Sequence, residues 1–296
     1  MLRLSLVVAT YNRAESLITA LQSVVQQTAP KDEWECVVVN NNSTDDTAER
    51  FKAFAEAHPD VHLRMVDEVR QGLSFARNRG IGESEGEYIA IIDDDERIVE
   101  GFVGAYISLF DNHPDAMAAG GKIVAEYATS RPRWMSHYTE RPIANPMDYG
   151  TRIRLLPKGA IPGGGNMALR REVFDIVGDF DTSLGRTGKR LIGGEESELF
   201  ERIAQQDMRV YYSPDAVMYH IIPDEKLSND YFERLCFNTG ISQHTRAQLH
   251  RRVAGLYIGE AAKWVATLLL CLVHRPAQAR YLLKMRYNIS RGILSR

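Results

Sequence analysis

Short β-branched runs alternate with stretches of helical periodicity through the first half of the chain. SLVVAT (5–10), CVVVN (36–40), HLRMV (62–66) and YIAII (88–92) predict strands, and AESLITALQSVVQQ (14–27) and DDTAERFKAFAEAH (45–58) predict helices between them. In the first helix Leu17, Leu21, Val24 and Val25 fall on one face. Near-continuous apolar strands separated by helices predict a mostly parallel sheet covered on both sides, and such sheets bind ligands beyond the carboxyl ends of their strands. Those ends are polar here: Thr10-Tyr11-Asn12-Arg13 after the first strand, Asn40 to Asp46 after the second, and Asp93-Asp94-Asp95 after the fourth.

The pattern loosens in the second half. Residues 127–165 are rich in Pro, Gly, Arg and aromatics with little periodicity, which predicts a long functional loop or lid. A helix is predicted over 168–180, then a glycine-flanked acidic cluster, GGEESELFERI (193–203), and a further strand over 209–221. There is no internal repeat and no low-complexity tract.

With 296 residues, 44% hydrophobic and 25% charged, the chain can bury a large core, which excludes a disordered chain and allows one large domain or two small ones. Cys36, Cys236 and Cys271 are far apart, odd in number and form no CxxC pair, so neither a disulfide framework nor a zinc site is suggested. A reducing cytoplasm is the expected compartment, and MLRLSLVVATYNR reads as a first strand rather than a signal peptide. Charge is unevenly spread. From residue 246 onward ten basic residues face Glu260 alone, a surplus of nine; with the whole chain at −3, residues 1–245 carry −12. This basic tail includes WVATLLLCLV (264–273), an apolar run of ten where a spanning helix needs about 20. Two readings stay open: an Arg-rich amphipathic segment with Trp264, Tyr281 and Tyr287 lying on an anionic membrane, or a helix pair packed on the body or on a second copy of the chain.

Three aspartates closing a buried strand repel one another unless something offsets them. Read from the residues alone, the triplet either ends a strand and caps the next helix or holds a hard divalent cation, Mg²⁺ or Mn²⁺, which takes carboxylates, water and phosphate oxygens. Strand alternation would turn Asp93 and Asp95 the same way. A dinucleotide-dependent oxidoreductase is disfavoured, because ATYNRAES stands where GxGxxG belongs, and a nucleotidyltransferase lacks its glycine-rich, lysine-bearing phosphate loop.

The ordered pieces VVATYNR, VVVNNNSTDDT, QGLSFARNRGI, GEYIAIIDDDE, GGGNMALRRE, GGEESELFERI and SPDAVMYH resemble the inverting glycosyltransferases of family 2, over residues 4 to about 222. The resemblance implies an α/β GT-A (Rossmann-like) fold with a mostly parallel central sheet, helices on both faces and a C-terminal helical tail. It implies a domain over 1–225, with a nucleotide-sugar half at 1–125 and an acceptor half at 126–225, followed by a basic helical region at 226–296. It implies that Asp95 holds Mn²⁺ or Mg²⁺, with His220 as a second ligand. Thr10, Tyr11, Arg13, Asn40, Asn41, Arg77, Asn78, Asp93, Asp94, Gly165, Asn166 and Glu195 would line the nucleotide sugar, with Asp94 near the ribose and Asp93 shaping the turn. Asn40 stands where the family usually has an aspartate that reads uracil. For Arg77 the alternative is an ion pair with the aspartates. Glu196 would be the catalytic base, in place of the more usual aspartate. Arg131, Arg133, Trp134, His137 and Tyr138 are expected to grip the acceptor. The implied reaction moves a sugar from a nucleoside-diphosphate sugar, a UDP-sugar above all, to a lipid-linked or growing glycan in cell-surface polysaccharide synthesis. The expected location is the cytoplasm, peripheral to the cytoplasmic face of the inner membrane, with no nucleic-acid partner and with self-association open. The competing reading is a non-catalytic nucleotide-sugar binder of the same fold.

Overall fold

The structure is a computed structural model that describes residues 2–188 and 191–295; Arg296, counted above in the tail's charge, lies outside the described residues. Strands run over β1 Leu4–Thr10, β2 Trp34–Asn40, β3 Leu63–Asp67, β4 Tyr88–Asp93, β5 Glu96–Ile98, β6 Ala116–Tyr127, β7 Arg154–Leu155, β8 Met167–Arg170 and β9 Arg209–Ile222. Helices run over α1 Ala14–Val25, α2 Thr47–Ala57, α3 Leu73–Glu83, α4 Phe102–Asn112, α5 His137–Ala144, α6 Glu172–Val177, α7 Glu195–Gln205, α8 Asn229–Leu249, α9 Val253–Val273 and α10 Pro276–Leu294.

Two compact units interleave along the chain. The first comprises Met1–Val124, Met147–Thr182 and Glu195–His220; the second comprises Ala125–Pro146, Ser183–Gly194 and Ile221–Arg296. Met135, Ile143 and Ala144 share one core with Ile222, Phe232 and Leu282, which draws the 125–146 segment into the second unit.

In the first unit the strand order is β3-β2-β1-β4-β8-β6-β9-β5, with β7 beside β9. β1, β2, β3 and β4 are mutually parallel, whereas β8 pairs antiparallel with β4 and β6. All seven residues of β1 and of β2 are buried, because helices cover both faces and each strand is apolar on both sides. Alternation splits β1 between two cores: Leu4, Leu6 and Val8 pack with Leu17, Leu21 and Phe102, and Val7 and Ala9 pack with Ala76, Ile81 and Leu199.

Three expectations are corrected here. Residues 168–170, expected in a helix, lie in β8, since Met167 and Leu169 pair with Ile91 and Ile89; the helix that follows is the short α6. The 127–165 segment is not a bare loop. It contains α5, started by a Ser136–Thr139 capping box, and β7. The apolar run at 264–273 is the second half of α9, whose 21 residues make it long and apolar enough to cross a membrane by length and composition, and the tail holds three long helices rather than a pair.

The second unit is built on α8 and α10. Their backbones approach closely at Gly240 and Gly292, where an added Cβ would stand 2.1 Å from the Ile289 carbonyl oxygen and 2.0 Å from the Phe237 carbonyl oxygen. Trp134 stacks on Tyr281 at 4.0 Å and an interplanar angle of 14° against the same core.

Candidate active site

The turns beyond β1 and β2 are tied together by Asn12. In the left-handed region at φ 50°, its Oδ1 accepts from the Thr44 and Asp45 amides at 2.7 and 3.3 Å. Thr10, 3% exposed, donates from Oγ1 to Asp94 Oδ2 at 2.7 Å. Arg13 Nη1 donates to both Asp94 and Asp95 at 3.0 Å, so one guanidinium neutralises part of the triplet. Burial, with the Asp95 and Asp93 charges adding to it and Arg13 and Thr10 opposing, pushes the Asp94 carboxyl up to about 6. Tyr11 is 37% exposed, leaving its ring face available.

Arg77 answers for much of the remaining repulsion. Its guanidinium, 1% exposed, donates to Asp93 at 2.8 Å, to Glu195 at 2.9 Å and to the Gly164 carbonyl at 3.1 Å. Its partners here are the carboxylates of Asp93 and Glu195. Glu195, 4% exposed, is the far partner, and it opens α7 with Glu196 beside it. Glu196 is half-buried, its carboxyl carbon 3.7 Å from where a side chain on Gly164 would begin.

Glu96, which the sequence reading passed over, completes the acidic group. It is 4% exposed, its Oε2 accepts from the Asp93 amide at 2.8 Å, and burial with the Asp93 and Asp95 charges pushes its carboxyl well above the usual range. One carboxylate oxygen from each of Asp93, Asp95 and Glu96 lies within 4.8 Å of the others. An all-oxygen donor set that neighbouring cations only partly neutralise fits a hard divalent cation. His220 faces Glu96 across the β5–β9 ladder and is not one of these three. Gly165 serves this group indirectly: a Cβ there would meet Glu96 Oε1 at 2.1 Å, so only glycine leaves room for the carboxylate.

Several residues expected on the nucleotide sugar also brace the backbone around it. Asn166 is fully buried, accepting from Tyr106 Oη at 2.6 Å and donating to the Lys122 and Ala216 carbonyls at 3.0 Å, which locks β6, β8 and β9. Asn41, 4% exposed, donates to the Glu68 and Arg70 carbonyls and accepts from the Gly72 amide, pinning the loop after β3. Asn78 exchanges two hydrogen bonds with the Phe180 backbone. Asn40 donates to Asp67 at 2.9 Å and accepts from the Ser43 amide at 3.1 Å, which orients its amide at the ends of β2 and β3. Among the residues expected at the acceptor, all in the second unit, Arg131 is paired with Glu140 and Trp134 with Tyr281, while Arg133, His137 and Tyr138 are exposed.

The sequence matches the family model described as Glycosyl transferase family 2 over residues 5–178. It is 28% identical over 259 residues to the glucosyl-dolichyl phosphate glucuronosyltransferase of Haloferax volcanii, covering 84% of this chain and 79% of that one. It is 25% identical over 242 residues to the succinoglycan biosynthesis protein ExoM of Rhizobium meliloti, covering 81% and 73%. Among solved structures, the mannosyltransferase PcManGT of Pyrobaculum calidifontis in complex with GDP-Man and Mn²⁺ superposes with a TM-score of 0.64 at 21% identity, over 97% of this chain and 87% of that one. S. aureus TarS residues 1–349 in complex with UDP-GlcNAc gives 0.60 at 15% identity, over 98% and 91%.

Proposed function

Because the chain belongs to glycosyl transferase family 2 and has the GT-A fold, we propose that it is an inverting transferase that moves a sugar from a nucleoside-diphosphate sugar to an acceptor hydroxyl. The observation that carries this reading is the oxygen cluster of Asp93, Asp95 and Glu96, gathered at the strand ends of the unit in which Glu196 lies in the first turn of α7. Those carboxylates would hold a Mg²⁺ or Mn²⁺ ion, which would supply neutralising charge to a diphosphate leaving group.

The chain's own residues do the rest. Arg13, Thr10 and Arg77 fix the orientation of the acids, and Tyr11 offers a ring face for a nucleobase. The Glu196 carboxylate takes the proton of the acceptor hydroxyl. That oxygen forms the new bond to the anomeric carbon as the bond to the diphosphate oxygen breaks on the opposite face, so configuration inverts. In this reading the donor is a UDP-sugar, its base near the end of β2, where the Asn40 amide is held by Asp67 and the Ser43 amide. A lipid-linked or growing surface glycan as acceptor is supported by the basic tail and by the relative that acts on glucosyl-dolichyl phosphate. The enzyme would then work in the cytoplasm, peripheral to a membrane.

Calorimetric titration of UDP, GDP and dTDP with and without Mn²⁺ tests this. One nucleotide is expected to bind only with the metal, and Asp95→Asn to abolish that binding. Glu196→Gln is expected to keep donor binding and lose roughly 10²–10⁴-fold in turnover. Absence of metal-dependent binding to all three nucleotides would overturn the reading, and binding without turnover on any acceptor would leave a nucleotide-sugar binder.

A further inference from the structure

Helix α9 uses one side of its surface and leaves the other bare. The used side faces α10. Glu260, 6% exposed, accepts from Arg286 Nη1 at 2.9 and 3.1 Å and from Ser290 Oγ at 2.7 Å, while Trp264 Nε1 donates to the same hydroxyl at 2.8 Å. Leu256, Leu270 and Cys271 pack on the second unit's core from this side. On the opposite side Ile258, Val265, Leu269 and Leu272 are 73%, 61%, 61% and 82% exposed. Their spacing of seven, four and three residues forms one continuous stripe. The other exposed residues of α9 are Ala, Gly, Tyr, Val or Leu, with the single exception of Lys263, which lies at the edge near Glu260.

Charge marks the ends of the stripe. Arg251 and Arg252 precede α9, Arg275 follows it, and Glu260 is the only acid from residue 246 onward. A bare apolar face bounded by arginines is complementary to a surface whose interior is hydrocarbon and whose rim is anionic. Length alone would let α9 cross a bilayer, but its partner forbids that: α10 would carry Arg280, Lys284, Arg286 and Arg291 into the hydrocarbon alongside it.

We propose that α9 lies in the plane of an anionic lipid surface, with the Ile258–Val265–Leu269–Leu272 stripe sunk to the acyl boundary and the flanking arginines on the phosphates. This rests on the reading of the tail as membrane-associated and goes beyond it by assigning the face, its depth and its orientation. It is independent of the transferase chemistry, since it is read without donor or acceptor.

The test is co-sedimentation of the full chain with vesicles of phosphatidylcholine alone or with about one third phosphatidylglycerol. The wild type is expected to pellet with the anionic vesicles, and Leu269→Glu with Leu272→Glu to lower partitioning by about tenfold or more. A control adding the same charge to exposed apolar positions of the first unit, Val69→Glu with Ile176→Glu, is expected to have little effect. Leu269→Ala with Leu272→Ala is expected to weaken binding less, and unchanged thermal melts certify that the variants fold. Equal losses in the Leu pair and the control would overturn the insertion and leave a tail held by charge alone. No pelleting of the wild type would overturn both. A lipid-free dimer that the Leu pair converts to monomer would name a second copy as the occupant, and retention through an alkaline carbonate wash would mean that α9 crosses; either overturns the proposal.

Discussion

Glu35 on β2 is buried with three hydrogen bonds to its carboxylate. Burial by itself would raise its pKa, yet Arg64 Nε at 2.8 Å, Ser5 Oγ at 2.6 Å and the Glu85 amide at 2.7 Å hold it below the usual carboxylate range. The unfolded chain therefore takes the proton first. The stabilisation is complete above the ordinary glutamate value of about 4.3 and is lost as pH falls through the lower folded value. Glu35→Gln is expected to cost about 1–3 kcal/mol at neutral pH, and urea unfolding at pH 7 and at lower pH should show the gap to wild type closing in acid. At this scale the sequence showed the run of aspartates but neither how its carboxylates are held nor the Glu96 carboxylate beside them. Asp95 and Glu196 stand in recognisable runs. Glu96 was missed because β4 ends at Asp93 and the turn breaks the alternation that would have placed it. Asn41, Asn78 and Asn166 have amides that suit a ligand or the protein itself equally well, and here the partners are backbone groups far away in sequence and, for Asn166, the Tyr106 hydroxyl as well.

Helix contacts show the same division between what is local and what is not. At the α8–α10 crossing Gly292→Ala would drive a methyl into the Phe237 carbonyl, and the expected loss is about 1–3 kcal/mol of stability by thermal melting. Gly259→Ala on α9 meets nothing within 4 Å and is expected to raise stability by about 0.5–1 kcal/mol through helix propensity. The two glycines look alike in sequence. Strands β1, β2 and β4 were legible because both of their faces are buried and the apolar runs are unbroken. α3 was not, because the face it buries is made of Ser74, Ala76, Arg77, Gly80 and Ile81, with little apolar contrast. β8 carries the helix-favouring sequence MALR, and pairing with β4 and β6 overrides that preference. The full length of α9 was hidden by Glu260 and Lys263, whose charges break the apolar run although Glu260 is matched by Arg286.

Across the whole molecule, the alternation of strand and helix announced the first unit, whereas the interleaving of the second could not be read from local pattern. The segment at 125–146 joins α8 and α10 through a core assembled from residues a hundred positions apart. The same long reach governs Arg77. Its bond to Asp93 spans 16 residues and its bond to Glu195 spans 118. A chain emerging from the ribosome can close the first link once β4 is made, and must wait for α7 to close the second. Closing so long a loop late places Glu195 outside the early nucleus. Glu195→Gln is therefore expected to speed unfolding severalfold in stopped-flow urea jumps while leaving the refolding rate nearly unchanged. The carboxylate that steadies the arginine of the finished site would then act as a clasp, adding lifetime to the native state without hastening its formation.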